Sequence, residues 1–287
     1  MKQSLPYESK HRIMCLIAHL PLSVLYLVSD FAYVILYYVW HYRRSVVRQN
    51  LQNAFPEKDI DEIRHIERRF YHNLTDVFVE AFKTLGMSAD DMSRHVSVEN
   101  AHLVEHYASE GYNVLAMTGH LGNWEWAQQI SRSYRKPELT TELYKHLSSR
   151  YFGSLMYRVR SHWDTEQIEM HSAVRRLMQL NREGRLFLCG FISDQRPDIT
   201  PRGKLTFMNQ ETTFVPGAEE IARRINAKLV YLDQRRVKRG KYVLTFREIL
   251  PKDDSLPYPM TYRFYEMLED SINRQPDIWL WSHKRWS

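Results

Sequence analysis

Strand-like runs that alternate with helical segments restrict what the second half of this chain can fold into. "YNVLAMT" (112–118), "RLFLCGFIS" (185–193) and "AKLVYLDQRRV" (227–237) are short and rich in branched and aromatic residues. Helical spacing follows the first at Trp124–Ser133 and separates the last two in "PGAEEIARRIN". That order predicts parallel strands with helices packed on the sheet. "KYVLTFREI" follows its predecessor after only the Lys238–Lys241 turn, so it pairs antiparallel and mixes one edge. The expected fold class is α/β, a mostly parallel or mixed sheet flanked by helices. No linker-like stretch interrupts residues 50–287, which form one expected domain behind an N-terminal segment, 1–49.

The N-terminal third is helical in pattern. "LPLSVLYLVSDFAYVILYYVW" (Leu20–Trp40) is long enough to span a bilayer, yet Asp30 sits midway, at a cost of roughly 2.5–3.5 kcal/mol on insertion scales. Tyr26, Tyr33, Tyr37, Tyr38 and Trp40 suit headgroup depth, and "HYRRSVVR" places Arg43, Arg44 and Arg48 next to it. The run is either a membrane anchor, inserted or lying in the interface, or a buried soluble helix. Pro21 can open it, and a bend or break is expected before Asn50. A second helix is predicted from Asp59, its N-cap, to a stop at Gly86, with Ile63, Ile66, Phe70, Leu74 and Val77 at helical spacing.

A formal charge of +6 suits acidic partners: phosphates, anionic lipids or an acidic carrier protein. Two cysteines, Cys15 and Cys189, make a disulfide framework unexpected and favour a reducing compartment. No nucleic-acid motif or glycine-rich nucleotide fingerprint is present. "HLVEH" (102–106) matches a zinc pattern, but no third ligand accompanies it, so no metal and no cofactor are expected. The basic tip Arg235, Arg236, Lys238, Arg239 and Lys241 is either solvated or a docking surface for membrane or carrier.

"TGHLGNWEW" (118–126) carries the chemistry. Thirteen histidines on a chain with 34 acidic residues in 287 give one or two His-x4-Asp/Glu spacings by chance, so spacing alone is uninformative. Position decides. On one α-helix, residues five apart are rotated by about 140° and cannot meet. They can meet if His120 lies in the turn after "YNVLAMT" and Glu125 in the first turn of the next helix, with Asn123 as its cap. Open α/β sheets place ligands at this carboxyl end of a strand. The expected pair is His120 as general base and Glu125 as the anion that orients it. No nucleophile elbow is present, so direct attack by an acceptor hydroxyl is the simpler route.

These residues resemble the lipid A biosynthesis (late) acyltransferase family of the lysophospholipid acyltransferase superfamily. "TGHLGNWEW" is similar to its His-x4-Glu block, "NLQNAFPE" to its N-terminal pattern, and "SDQ" (193–195) to its second acidic block. "PGAEEIARRINAKLV" and "PDIWLWSHKRW" are similar to its later segments. The resemblance covers nearly the whole chain. It implies a glycerolipid acyltransferase-like fold and an enzyme at the cytoplasmic face of the cell inner membrane. It also implies transfer of an acyl chain from acyl carrier protein to a hydroxyl of a lipid A precursor. Carried onto this chain, it makes His120 and Glu125 catalytic. Asp194, with Gln195 in its block, and either Arg158 or Arg160 of "YRVRSHW" become substrate-binding; apart from the resemblance, Asn123 in the turn and Lys145, a cation that could bind phosphate, are further substrate-binding candidates. Asn209 in "FMNQET" stands where many members have a glycine, and asparagine tolerates the left-handed turn. The rival readings are another lysophospholipid or glycolipid acceptor, or a non-catalytic membrane-binding homologue. Trp279, Trp281 and Trp286 fit either a lipid interface or the core.

Overall fold

The computed structural model describes residues 11–147, 149–196 and 200–286. The first ten residues of the N-terminal segment lie outside that set. Three helices open the chain: α1 (Arg12–Ala18), α2 (Leu22–Val34, extended by a π turn, Ile35–Val39) and α3 (Arg44–Ala54). Then come α4 (Ile60–Lys83), α5 (Ala89–Ser93), β1 (Val96–Glu99), α6 (His102–Ser109) and β2 (Val114–Thr118). The middle comprises β3 (Leu139–Tyr144), α7 (Arg150–Arg160), β4 (Glu166–Glu169), α8 (Ala173–Arg182) and β5 (Phe187–Ile192). Last are β6 (Gly203–Phe207), β7 (Gln210–Phe214), α9 (Gly217–Ile225), β8 (Lys228–Lys238), β9 (Lys241–Glu248) and α10 (Pro259–Arg274).

Seven strands form one sheet in the order β1-β9-β8-β2-β5-β3-β4. Neighbours are parallel except β8 and β9, so β1 and β9 run against the other five. The expected mixed α/β sheet is therefore present. Alternation along β2 divides the core: Leu115 and Met117 join the cluster under α4, α9 and α10, while Val114 and Ala116 join the one with α6 and Trp126. The small hairpin β6–β7 turns through Met208 (φ 50°) and Asn209 (φ 60°), so asparagine does accept the left-handed position.

Asp59 caps α4 as expected, accepting from the Asp61 and Glu62 backbones while Glu62 bonds back. The long N-terminal helix breaks at His41 and Arg43, both at positive φ. Leu22–Val39, with a mean hydropathy of 1.7, is long and apolar enough to cross a membrane. Its two faces differ. Leu25, Ser29 and Tyr37 are buried, and Ser29 Oγ donates to Asp76 on α4 at 2.7 Å. Asp30 is neutralised rather than orphaned, with Arg239 Nη2 at 2.6 Å and His72 Nε2 at 3.0 Å. The opposite face exposes Leu27 (69%), Phe31 (67%) and Val39 (70%), which leaves an apolar stripe.

Candidate active site

Two adjacent parallel strands end side by side and present the site. β2 stops at Thr118, β5 stops at Ile192, and the Ser193 N–H donates to the Thr118 carbonyl at 2.9 Å. His120 and Asp194 each lie two residues past their strand. His120 Nδ1 is 2.6 Å from Asp194 Oδ1, and the His120 backbone N–H donates to Oδ2 at 2.8 Å. Trp279 Nε1–H donates to the same oxygen at 2.8 Å. A Cβ on residue 119 would meet Leu268 at 2.7 Å and the Asp194 carboxylate at 3.1 Å, so glycine is what lets the carboxylate approach.

Burial would raise the Asp194 pKa, but the His120 charge, both His120 hydrogen bonds and Trp279 hold it down at about 2. The carboxylate is thus an anion throughout the neutral range. It fixes the proton on Nδ1 and leaves Nε2 as the acceptor. Gln195 Nε2 sits 3.2 Å from that nitrogen, and the Trp124 ring packs edge-on against the imidazole at 5.2 Å. Only the histidine edge is open: its side chain is 14% exposed against 2% for Asp194.

This corrects the expected partner. Glu125 does not hold His120. It lies in the first turn of a 3₁₀ segment, Trp124–Arg132, and both its oxygens receive Arg160 from the end of α7, at 2.9 Å and 2.7 Å. The physical reason is the turn itself. Gly122 (φ 50°) and the cap at Asn123 swing Glu125 toward α7, whereas Asp194 reaches His120 from the neighbouring strand. Burial pushes the nearby Glu142 carboxyl up to about 8, against the pull of Arg160, while Glu125 is the carboxylate that holds the guanidinium through both oxygens. Of the two candidate arginines, Arg160 is the one bound to the signature glutamate. Arg158 is half-buried on the same last turn.

The remaining expected residues divide. Gln195 stands at the imidazole. Asn123 is fully buried, its Oδ1 accepting from the Trp126 N–H and its Nδ2 donating to Glu80 at 2.8 Å, so it serves the site by holding the turn. Lys145 is exposed, one residue beyond β3. Trp279 and Trp281 are buried, which removes them from any lipid interface. Sequence reading missed two groups. Trp279 supports Asp194 directly. Glu80 is fully buried on α4 and joins Tyr26 of α2, Tyr242 of β9 and Asn123. The indole was visible as part of "PDIWLWSHKRW", but nothing in the spacing tied either group to His120.

The segment around Ile278 and Leu280 clamps the turn that carries His120. Gly122 N–H donates to the Ile278 carbonyl, and Leu280 N–H donates to that of His120. A small cavity of about 50 Å³ lies behind Trp124, lined by Thr118, Leu188, Phe191 and Leu232 among others. The arrangement is a tautomer-locked imidazole at a strand end, with a part-buried Arg160–Glu125 pair in the segment that follows the same turn. It suits proton abstraction from a hydroxyl. No individual curated protein matches the chain. The family model for bacterial lipid A biosynthesis acyltransferase matches residues 11–287. The chain is an acyltransferase and belongs to the bacterial lipid A biosynthesis acyltransferase family.

Proposed function

We propose that the protein transfers a fatty acyl chain from acyl carrier protein to a hydroxyl of a lipid A precursor at the cytoplasmic face of the inner membrane. The observation that carries the mechanism is the 2.6 Å contact between His120 Nδ1 and Asp194. With that proton fixed, Nε2 takes the proton of the acceptor hydroxyl as its oxygen attacks the thioester carbonyl. The tetrahedral intermediate then collapses, the C–S bond breaks, and the imidazolium returns its proton to the departing thiolate. Asp194 stabilises the imidazolium between the two transfers. Arg160, held by Glu125, supplies fixed positive charge for the oxyanion or for a substrate phosphate. The acidic carrier and a phosphorylated glycolipid both suit a chain of net charge +6.

The outward face of α2 supports attachment to the membrane surface. Its inner face is committed to α4 and Arg239, so the helix lies with Leu27, Phe31 and Val39 toward lipid rather than surrounded by it. His120→Ala should leave the protein folded and membrane-bound while lowering acyl transfer by roughly 10²-fold or more. Near-normal turnover of the purified variant would refute the assigned base. Mass spectrometry of lipid A and phospholipids from cells with and without the protein tests the acceptor. One acyl chain missing from lipid A is the expected result, and a change confined to phospholipids would overturn it.

A further inference from the structure

Strand β8 does not stop where its partner β2 does. Their last pairing is Tyr231 with Met117, and β8 continues seven residues to Lys238, a rise of about 23 Å at 3.3 Å per residue. Because β8 is parallel to β2, this arm stands on the carboxyl edge of the sheet, the edge that carries His120 and Asp194. Two adjoining cavities, of about 340 and 260 Å³, flank it and share Arg69, Arg236, Gln275 and Asp277. Six cations line them: Arg69, Arg235, Arg236, Lys238, Arg239 and Arg274. Asp277 is the one carboxylate in either lining.

The cations are of two kinds. Arg236 and Arg239 are anchored on the buried Asp76, Arg274 on Asp233 and Arg69 on Asp277. Counting Asp30, which also binds Arg239, four carboxylates face six cations and leave an excess of two. Arg235 and Lys238 supply that excess. Both are exposed, and neither has a carboxylate partner among the described residues. The wall of this groove is also the inner wall of α2: Arg239 binds Asp30 and lies over the Tyr26 ring at 4.2 Å, and His72 binds Asp30. A phosphate seated here would have its acyl chains beside a helix whose outer face is already apolar and exposed.

We propose that this groove binds the phosphate headgroups of anionic phospholipids and docks the catalytic edge of the sheet on the membrane. The proposal rests on the reading of α2 as a membrane-surface helix. Continuity with α2 favours a lipid over an acidic carrier protein as the occupant.

The test is vesicle co-sedimentation of the full-length protein and of an Arg235→Gln/Lys238→Gln variant. Vesicles are phosphatidylcholine alone or phosphatidylcholine mixed with phosphatidylglycerol, at low and high salt. Each surface cation near an anionic leaflet is worth about fivefold, so the variant should lose roughly thirtyfold in affinity for mixed vesicles. It should lose nothing on neutral vesicles, and high salt should erase the difference. Equal wild-type binding to both vesicle types, unchanged in the variant, overturns the groove while leaving the α2 reading intact. Binding to mixed vesicles alone, lost in the variant, supports the groove and shows that α2 cannot hold the protein on a neutral surface without it. Unchanged vesicle binding with a raised KM for the carrier-bound donor assigns the cations to carrier docking and overturns the proposal.

Discussion

Replacing Asp194 by asparagine tests the site at the point where its geometry is most specific. One carboxylate oxygen faces His120 Nδ1, and the other receives two N–H donors, from the His120 backbone and from Trp279, each at 2.8 Å. An amide has only one acceptor oxygen. Two donors outbid one, so the amide oxygen turns toward the backbone and the indole, and the NH₂ group faces Nδ1. That forces the proton onto Nε2, the atom that must accept one from the acceptor hydroxyl. In serine proteases the equivalent tautomer error costs about 10⁴ in kcat, or about 5.5 kcal/mol. Asp194→Asn should therefore lower kcat by about 10³- to 10⁴-fold with little change in KM. Glu125→Gln weakens one charge-assisted pair with Arg160 and should cost about 1.5–3 kcal/mol, 10- to 100-fold. The assay is steady-state acyl transfer by the purified variants. If Asp194→Asn stays within tenfold of wild type while Glu125→Gln loses the larger factor, the assignment of Asp194 as orienting group fails.

Other outcomes follow from the same contacts. Leu27→Glu with Phe31→Glu changes only the exposed face of α2, so it should release the protein into the soluble fraction with its melting temperature nearly unchanged; retention in washed membranes would show that attachment lies elsewhere. Glu80→Ala strips a shared acceptor from Tyr26, Tyr242 and Asn123. It should cost about 3–5 kcal/mol in urea unfolding and reduce activity as the Asn123 cap loosens. The Asp194 carboxyl is depressed from 3.8 to about 2 in the fold, so its contribution is fully present above about pH 4 and disappears as pH falls through about 2. That contribution is roughly 2 kcal/mol, and the stability gap between wild type and Asp194→Asn should narrow over that window. A gap that stays constant from pH 5 to pH 2.5 would contradict the depressed pKa.

The elements legible in the sequence were those whose side chains alone dictate them. β2, β5 and β8 are continuous apolar runs because helices cover both of their faces, and α4 announces its start through the Asp59–Glu62 capping box. The strands β1, β3 and β4 were not legible: "VSVE", "LTTELY" and "EQIE" are short or polar, and pairing with neighbours far along the chain makes them strands. The site divides in the same way. His120 at a strand end and the Asn123 cap follow from local residues. The His120–Asp194 contact does not, because the two are 74 positions apart and meet only through the register of β2 with β5.

Asp30 shows the same limit from the opposite direction. In the sequence it is a charge in the middle of an apolar run, a cost against any membrane reading. In the fold it is the contact that orients that run, since Arg239 and His72 draw it onto α4 and so decide which face of α2 looks outward. The neighbouring turn of α2 reaches the active site by a second chain of buried contacts. Tyr26 donates to Glu80, Glu80 accepts from Asn123, and Asn123 caps the segment that carries Glu125. The helix with the exposed apolar stripe and the turn that carries His120 thus share one buried carboxylate. Disturbing the inner face of α2 should therefore cost activity even in detergent, where attachment no longer matters, whereas disturbing its outer face should not.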